Sequence, residues 1–292
     1  MGLHHPECPE RLGAISDRLI AAGLDIHLQF YDAPLASLEQ LQRVHPAEYI
    51  EKLREASPKH GLVHLDPDTA MSPGTFNAAL RAAGAGCLAT DLVMQGSAQN
   101  AFCAVRPPGH HAERAAAMGF CFFNNIAVAA RHALEAWGLS RIAIIDFDVH
   151  HGNGTEDVFS SDEQVLMVST FQHPFYPYSG TEHPASNMCN IPLPAGTRGD
   201  VFRQVVSDIW LPRLHAFKPE MIFISAGFDA HYEDDMASLG LLEADYAWVT
   251  LQIRKVADEH AGGRIVSMLE GGYALSALAR SVSAHIKVLA AL

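Results

Sequence analysis

The stretch "IIDFDVHHGNGT", Ile144 to Thr155, runs an apolar strand straight into two carboxylates and two imidazoles, then stops at a glycine-rich turn. Extended chain sends alternate side chains to opposite faces, so Asp146, Asp148 and His150 share one side while Ile145, Phe147 and Val149 take the other. Three groups able to ligate a metal point the same way. Asp148 and His150, joined by Asp229 of "SAGFDAH", make a set of two carboxylates and one imidazole that leaves positions open for water and substrate. A closed structural site would draw on four ligands rich in cysteine. Taken alone, "DFDVHH" fits a solvated turn or a helix cap equally well.

Outward from this stretch, short apolar runs alternate with longer helical patterns, which predicts an α/β fold with a central parallel sheet flanked by helices. Strands are expected at 101–105, 141–148, 165–171, 221–228 and 264–272, with a weaker one at 25–32. Helical patterns occupy 9–23, 46–57, 73–95, 123–137, 199–217, 243–260 and 275–291. Four of the strands exit into polar segments: "RPPGHHAE", "DVHHGNG", "GFDAH" and "EGGY". Ligands in open parallel sheets bind outside the carboxyl ends of the strands, so one sheet edge receives His, Asp and Tyr from four places. No linker or repeat interrupts the 292 residues, and a single domain over 1–292 is expected.

Composition narrows the functional classes. A net charge of -13 disfavours nucleic acid as a partner, because phosphate neutralisation needs clustered Lys and Arg. The five cysteines (Cys8, Cys87, Cys103, Cys121, Cys189) show no CxxC spacing, which points away from a thiolate zinc site and toward a reducing cytoplasm. No secretory signal and no apolar run long enough for a bilayer is seen, so membrane partners are not expected.

"PPGHHAE" sets His110 and His111 behind a stiff Pro-Pro and a permissive glycine, and histidines are the usual general acid-base groups. "LEGGYAL" sets Tyr273 behind two glycines, within reach of a developing oxyanion. Each piece alone fits a structural role at least as well. The GxxxxGK[ST] loop, GxGxxG fingerprint, HExxH helix and GxSxG elbow are missing, which removes the usual support for phosphoryl transfer, hydride transfer and serine hydrolysis.

Taken together and in order, "HPECPERL", "RPPGHHA", "GFCFFNN", "IDFDVHHGNGT", "VSTFQHPFYPYSGT", "SAGFDAH" and "LEGGY" closely resemble the histone deacetylase family, including its bacterial amidohydrolase members of the second class. The resemblance covers nearly the whole chain. It implies an arginase-like fold and a catalytic zinc or ferrous ion on Asp148, His150 and Asp229. His111 is then the general base and later acid, His110 paired with Asp146 acts electrostatically, and Tyr273 donates to the oxyanion. Potassium is implied beneath the metal, on Asp146, Ser169 and the main-chain carbonyls of Asp148, His150 and Thr170. A second potassium is expected near Phe159, Asp162 and Val165. Gly119, Phe120, Tyr176, Met236 and Gly271 match a narrow substrate tunnel.

Two departures stand out. Asn153 stands where many relatives of the first class carry an aspartate behind the second histidine. Relatives also begin with a strand and an acidic loop before "HPE", whereas this chain opens at "MGLHHPECPERL", so that first strand is expected to be lacking.

The expected substrate is an acylated amine, acetyl-lysine in a protein first and acetylpolyamine second. Met236 occupies the region where polyamine-selective relatives place an acidic gatekeeper, and Asp234 and Asp235 beside it offer negative charge for a cation. A non-enzymatic acyl-lysine reader would have lost a ligand or Tyr273. A ureohydrolase would need further bridging aspartates that "GFDAHYEDD" does not supply. A homo-oligomer is expected without a face to assign to it.

Overall fold

A computed structural model describes residues 1–2 and 4–292. In chain order the helices and strands are α1 (Glu10–Ala21), α2 (Leu38–Gln42), α3 (Ala47–Ala56), β1 (Val63–His64), β2 (Ala70–Met71), α4 (Thr75–Met94), β3 (Asn100–Cys103), α5 (Asn125–Trp137), β4 (Ile142–Asp146), α6 (Asn153–Phe159), β5 (Val165–Gln172) and β6 (Met188–Leu193). They continue with α7 (Gly199–Val205), α8 (Leu211–Phe217), β7 (Met221–Ala226), α9 (Glu243–His260), β8 (Ile265–Leu269) and α10 (Leu275–Leu289). A π-helical turn at Val206–Trp210 joins α7 to α8, so the predicted helix 199–217 is one rod with a local bulge.

Six strands form one all-parallel sheet in the order β3-β8-β7-β4-β5-β6. Strands β4, β5, β7 and β8 are buried throughout, which is why they read as continuous apolar runs rather than alternating ones. Alternation still decides which layer each side chain joins. Ile142 and Ile144 pack with α4 and α5 on one face, while Ala143, Ile145 and Phe147 pack with α1, α9 and α10 on the other. The chain runs from β4 outward through β5 and β6, then returns to place β7 on the other flank of β4. Strand order therefore reverses between β4 and β7, and a ligand crevice belongs at their carboxyl ends.

Two sequence expectations need correction. Residues 25–32 make no strand: a 3-10 turn at Asp25–His27 leads into extended chain that pairs with none of the described strands, and Ile26 and Phe30 stand exposed. Their apolar alternation has no partner edge to satisfy. Conversely, β6 was absent from the predicted strands because Pro192 interrupts it. An edge strand tolerates proline, since its outward N–H is not needed, and β6 is an edge.

Candidate active site and metal centre

Past Asp146 the chain leaves β4 through two successive side-chain turns. The Asp148 N–H donates to Asp146 Oδ1 at 3.1 Å, and the His150 N–H donates to Asp148 Oδ1 at 2.9 Å. This local pattern, in which a short polar side chain accepts the N–H two residues on, keeps all three side chains on one side after the ladder ends. Asp229 arrives from the adjacent β7 and anchors the same exit by accepting the Val149 N–H on Oδ1 at 2.9 Å.

One donor atom from each of Asp148, His150 and Asp229 falls within 4.8 Å of the others, and all three residues are buried. His150 Nδ1 lies 3.0 Å from Asp148 Oδ1 and 3.3 Å from Asp229 Oδ2. Asp229 Oδ2 nevertheless has no hydrogen bond. Burial and the neighbouring Asp148 push its pKa up to about 6. An unsatisfied buried carboxylate oxygen is costly, and a cation among these donors removes the cost. Glycine leaves the room: a Cβ at Gly271 would sit 2.0 Å from Asp229 Oδ2, and one at Gly227 would sit 2.0 Å from Asp148 Oδ2. The oxygen-nitrogen-oxygen set fits zinc or ferrous iron.

The two adjacent histidines have different partners. His110 Nδ1 is 2.9 Å from Asp146 Oδ2, and its Nε2 is 3.7 Å from Asp148 Oδ1. Burial opposes its charged form, but Asp148 and Asp146 outweigh burial and hold its pKa well above the usual imidazole range. His111 Nδ1 is 2.8 Å from Asn153 Oδ1, and Asn153 Nδ2 donates to Glu113 Oε1 at 2.9 Å. That second bond fixes the amide so that its oxygen faces His111, which puts the imidazole proton on Nδ1 and leaves the lone pair on Nε2. Burial, followed by the charges of His110 and His150, holds the His111 pKa well below its ordinary value.

Tyr273 is retained as a neutral phenol by burial, which raises its pKa well above the usual value despite the Arg11 guanidinium 4.9 Å from its ring centre. Its backbone is pinned from both directions. Asp234 Oδ2 accepts the N–H groups of Tyr273 and Ala274 at 2.6 and 2.9 Å, and buried Arg11 donates to the carbonyl of Gly272 at 2.7 Å.

A cavity of about 140 Å³ stands over these groups, lined by His110, His111, His150, Gly119, Phe120, Tyr176, Met236, Gly271 and Tyr273 among others. All five predicted tunnel residues are among them. Phe120 meets Tyr273 edge to face at 5.9 Å, and Tyr176 meets His111 in the same way at 5.3 Å, so aromatic walls converge on the two histidines. A larger cleft of about 310 Å³ beside Glu7 and Arg106 holds none of the metal-ligand candidates and is set aside as the reaction centre.

Sequence reading missed three contributors and gave a fourth, Asp234, another role. Glu270, fully buried, accepts the N–H groups of Gly109 and His110 at 2.7 and 3.1 Å and so fixes the histidine loop; burial pushes its pKa up to about 7. Its signal was a carboxylate closing a buried apolar strand. Phe175 stacks on His150 at 5.5 Å, and Asp68 brings a carboxylate to the cavity wall. Asp234 was expected to draw cations at the rim; it is buried and its oxygens are taken by backbone N–H groups, including that of Met236 at 3.0 Å. Only Asp235 of that pair is exposed.

The two expected potassium positions also differ. Asp146 and Ser169 are paired in register on β4 and β5, and among the described residues no loop or side-chain donor hydrogen-bonds the carbonyls of Asp148 or His150, which leaves acceptors for a cation. Around the second position the carbonyls of Phe159, Asp162 and Val165 are already occupied. Asn187 Nδ2 lies 2.8, 3.0 and 3.0 Å from them. The Asn187 amide therefore donates into the ring of carbonyls expected to take the second potassium.

Known proteins share this chain's sequence family and fold. The family model "Histone deacetylase domain" matches residues 5–289. A histone deacetylase-like amidohydrolase of Pseudomonas aeruginosa is 40% identical over 276 residues, covering 92% of this chain and 72% of the relative. A polyamine deacetylase of Mus musculus is 38% identical over 306 residues, covering 97% of this chain and 44% of that protein. The crystal structure of an HDA15 HD domain superposes with a TM-score of 0.92 at 34% identity, over 100% of this chain and 84% of that one.

Proposed function

The chain belongs to the histone deacetylase family, and from that premise we propose that it hydrolyses the amide of acetyl-lysine in proteins or peptides, through a zinc or ferrous ion on Asp148, His150 and Asp229. The activity class is amidohydrolase, releasing acetate and a free amine. The observation that carries the site assignment is the convergence of His111 and Tyr273 on one cavity above a buried donor cluster in which Asp229 Oδ2 makes no hydrogen bond.

When bound, the ion would polarise the acyl carbonyl and acidify the attacking water. The residues then divide the work. His111 Nε2 takes a proton from the water and later returns one to the leaving amine. Tyr273 donates its phenolic hydrogen to the oxyanion as negative charge develops. His110 holds positive charge beside Asp146 and Asp148 and remains out of the proton transfers. Phe120, Phe175 and Tyr176 wall the cavity with apolar surface suited to the methylene chain of a lysine. Potassium would sit below, on Asp146 and the carbonyls beside it.

Acetylpolyamine is the second reading, favoured by Asp68 in the cavity wall and by the named activity of the mouse relative. Met236 and the inward-turned Asp234 weigh against it. The five cysteines, all free thiols, fit a reducing cytoplasmic setting, and no helix among the described residues is long and apolar enough to cross a membrane.

Turnover of matched acetyl-lysine peptide and acetylpolyamine panels, with metal content and a chelator control, tests the reading. We expect chelator-sensitive deacetylation with higher kcat/KM on the peptides, and a higher value on polyamines would reverse the substrate order. Asp229→Ala should lower bound metal together with rate; full metal occupancy in that variant would remove Asp229 from the ligand set.

A further inference from the structure

A second cluster of donor atoms lies on the other side of the molecule, and the proposed reaction makes no use of it. His215 is in the last turn of α8, and Glu259 and His260 are the last two residues of α9. One donor from each falls within 4.8 Å of the others. His215 Nδ1 and His260 Nε2 are 2.9 Å apart, while the Glu259 carboxylate straddles them, with Oε2 at 3.5 Å from the first and Oε1 at 3.5 Å from the second. We propose that His215, Glu259 and His260 form a second divalent-metal site, of the zinc class, which clasps the ends of α8 and α9.

Three observations support it. The triangle has the right size: ligand nitrogens about 2.0–2.1 Å from a tetrahedral zinc stand about 3.3 Å apart, close to the 2.9, 3.5 and 3.5 Å found here. A hydrogen bond between the imidazoles accounts for only one edge; at 3.5 Å the carboxylate is too distant to bond well to either ring, yet it faces both. Among the described residues these two imidazoles are the only ion-pair partners of Glu259, so no Lys or Arg competes for it.

Location favours a cation as well. Both helices end here, and the unpaired carbonyls of a helix C-terminus carry partial negative charge. The His260 side chain is 13% exposed and Glu259 61%, which gives a rigid ligand behind and solvent access in front. Because α8 leads into β7 and α9 into β8, the cluster lies at the amino edge of the sheet, opposite the catalytic cavity. Two imidazoles and a carboxylate with an open position select a borderline ion over calcium or magnesium. Its role is to tie two helices that otherwise meet only through side-chain packing.

The test is zinc stoichiometry on the full chain, stripped with chelator and titrated with Zn2+ by equilibrium dialysis with elemental analysis. Two ions per chain are expected for the wild type, and one for His215→Ala and for His260→Gln, with deacetylation rates unchanged at saturating catalytic metal. Asp229→Ala should bind one ion, the peripheral one; two ions in that variant would fail the catalytic assignment while leaving this one standing, and none would fail this one. Melting temperatures of the catalytic-site-loaded protein should rise on further zinc for the wild type and not for His215→Ala. One ion per chain in the wild type that persists in both histidine variants, or two that persist in both, overturns the proposal; one ion that is lost in those variants supports it and fails the catalytic assignment instead.

Discussion

His110 and His111 are neighbours in sequence, share one loop and are both buried, yet the fold has made them chemical opposites. The first has a carboxylate on Nδ1 and a second one 3.7 Å from Nε2; the second has only a neutral amide. The surroundings therefore favour the charged form of the first imidazole and the neutral form of the second. The carboxylates around His110, Asp148 first and Asp146 next, make the difference, since burial presses both rings the same way. Two adjacent histidines with equal partners would compete for one proton, whereas unequal partners assign it in advance.

The largest effect should come from removing the base. His111→Ala is expected to lower kcat by about 10²–10⁴ with metal content unchanged, the range typical of general acid-base groups. His110→Asn, which keeps a donor toward Asp146, should lose less. Single-turnover rates with metal analysis on both variants decide the matter, and a greater loss in the His110 variant would exchange the two roles.

The next effect tests whether the oxyanion donor is held opposite that base. Asp234→Ala releases the N–H groups of Tyr273 and Ala274 together. We expect kcat to fall about tenfold, less than the 10²–10³ typical for loss of an oxyanion donor itself, as in Tyr273→Phe. These part-buried N–H groups, with that of Met236, losing their acceptor should also lower stability by about 1–3 kcal/mol, visible in urea melts. Unchanged kcat with lowered stability would make Asp234 a cap for α10 and nothing more.

These assignments were unevenly legible in the sequence. The candidate ligands Asp148 and His150 were readable because a strand exit with Asp and His at alternate positions constrains direction. Asp229 was readable as a carboxylate at another strand end, and the family pattern strengthened the grouping; what brings it to residues some 80 positions earlier is the pairing of β4 with β7. Asp234 and Glu270 were hidden for another reason. Their function is to accept backbone N–H groups from distant loops, and a carboxylate's partner cannot be read from its neighbours in the chain. The amide of Asn187 among three carbonyls was hidden in the same way, since it depends on how the chain before β6 folds back on the segment from Phe159 to Val165. Helix spans were readable almost to the residue where amphipathic faces were long, and short α2 and α6 were not, having too few turns to show a period.

A smaller effect sharpens the histidine contrast directly. Asn153→Asp gives His111 the kind of partner that His110 already has. The sign is fixed: a carboxylate favours the charged imidazole, so the His111 pKa rises from its lowered position by about one unit or more. Because the base must be neutral to accept a proton, the acid limb of kcat/KM should move to higher pH by the same amount. Glu113, 2.9 Å from the Asn153 amide nitrogen, would face the new carboxylate, so the variant is best paired with Glu113→Gln. A pH profile that does not move would mean that another group sets the acid limb.

The smallest effect concerns the carboxylate behind His110. Asp146 holds His110 Nδ1 and would also serve the proposed potassium position beneath it, so a monovalent ion there would compete with a charged imidazole for the same negative charge. Potassium should consequently change activity only a few-fold, along a single-site curve, because the carbonyls of Phe159, Asp162 and Val165 already receive Asn187 Nδ2. Asn187→Ala empties that ring of three acceptors and should add a second phase to the potassium titration, read in the melting temperature more than in rate, since the ring lies away from His110 and His111. A biphasic curve in the wild type would show that the amide yields to the ion. A single phase in both proteins would show that three carbonyls without the amide do not hold potassium, and would leave the site beside His110 as the one place where a monovalent ion touches the contrast between the two histidines.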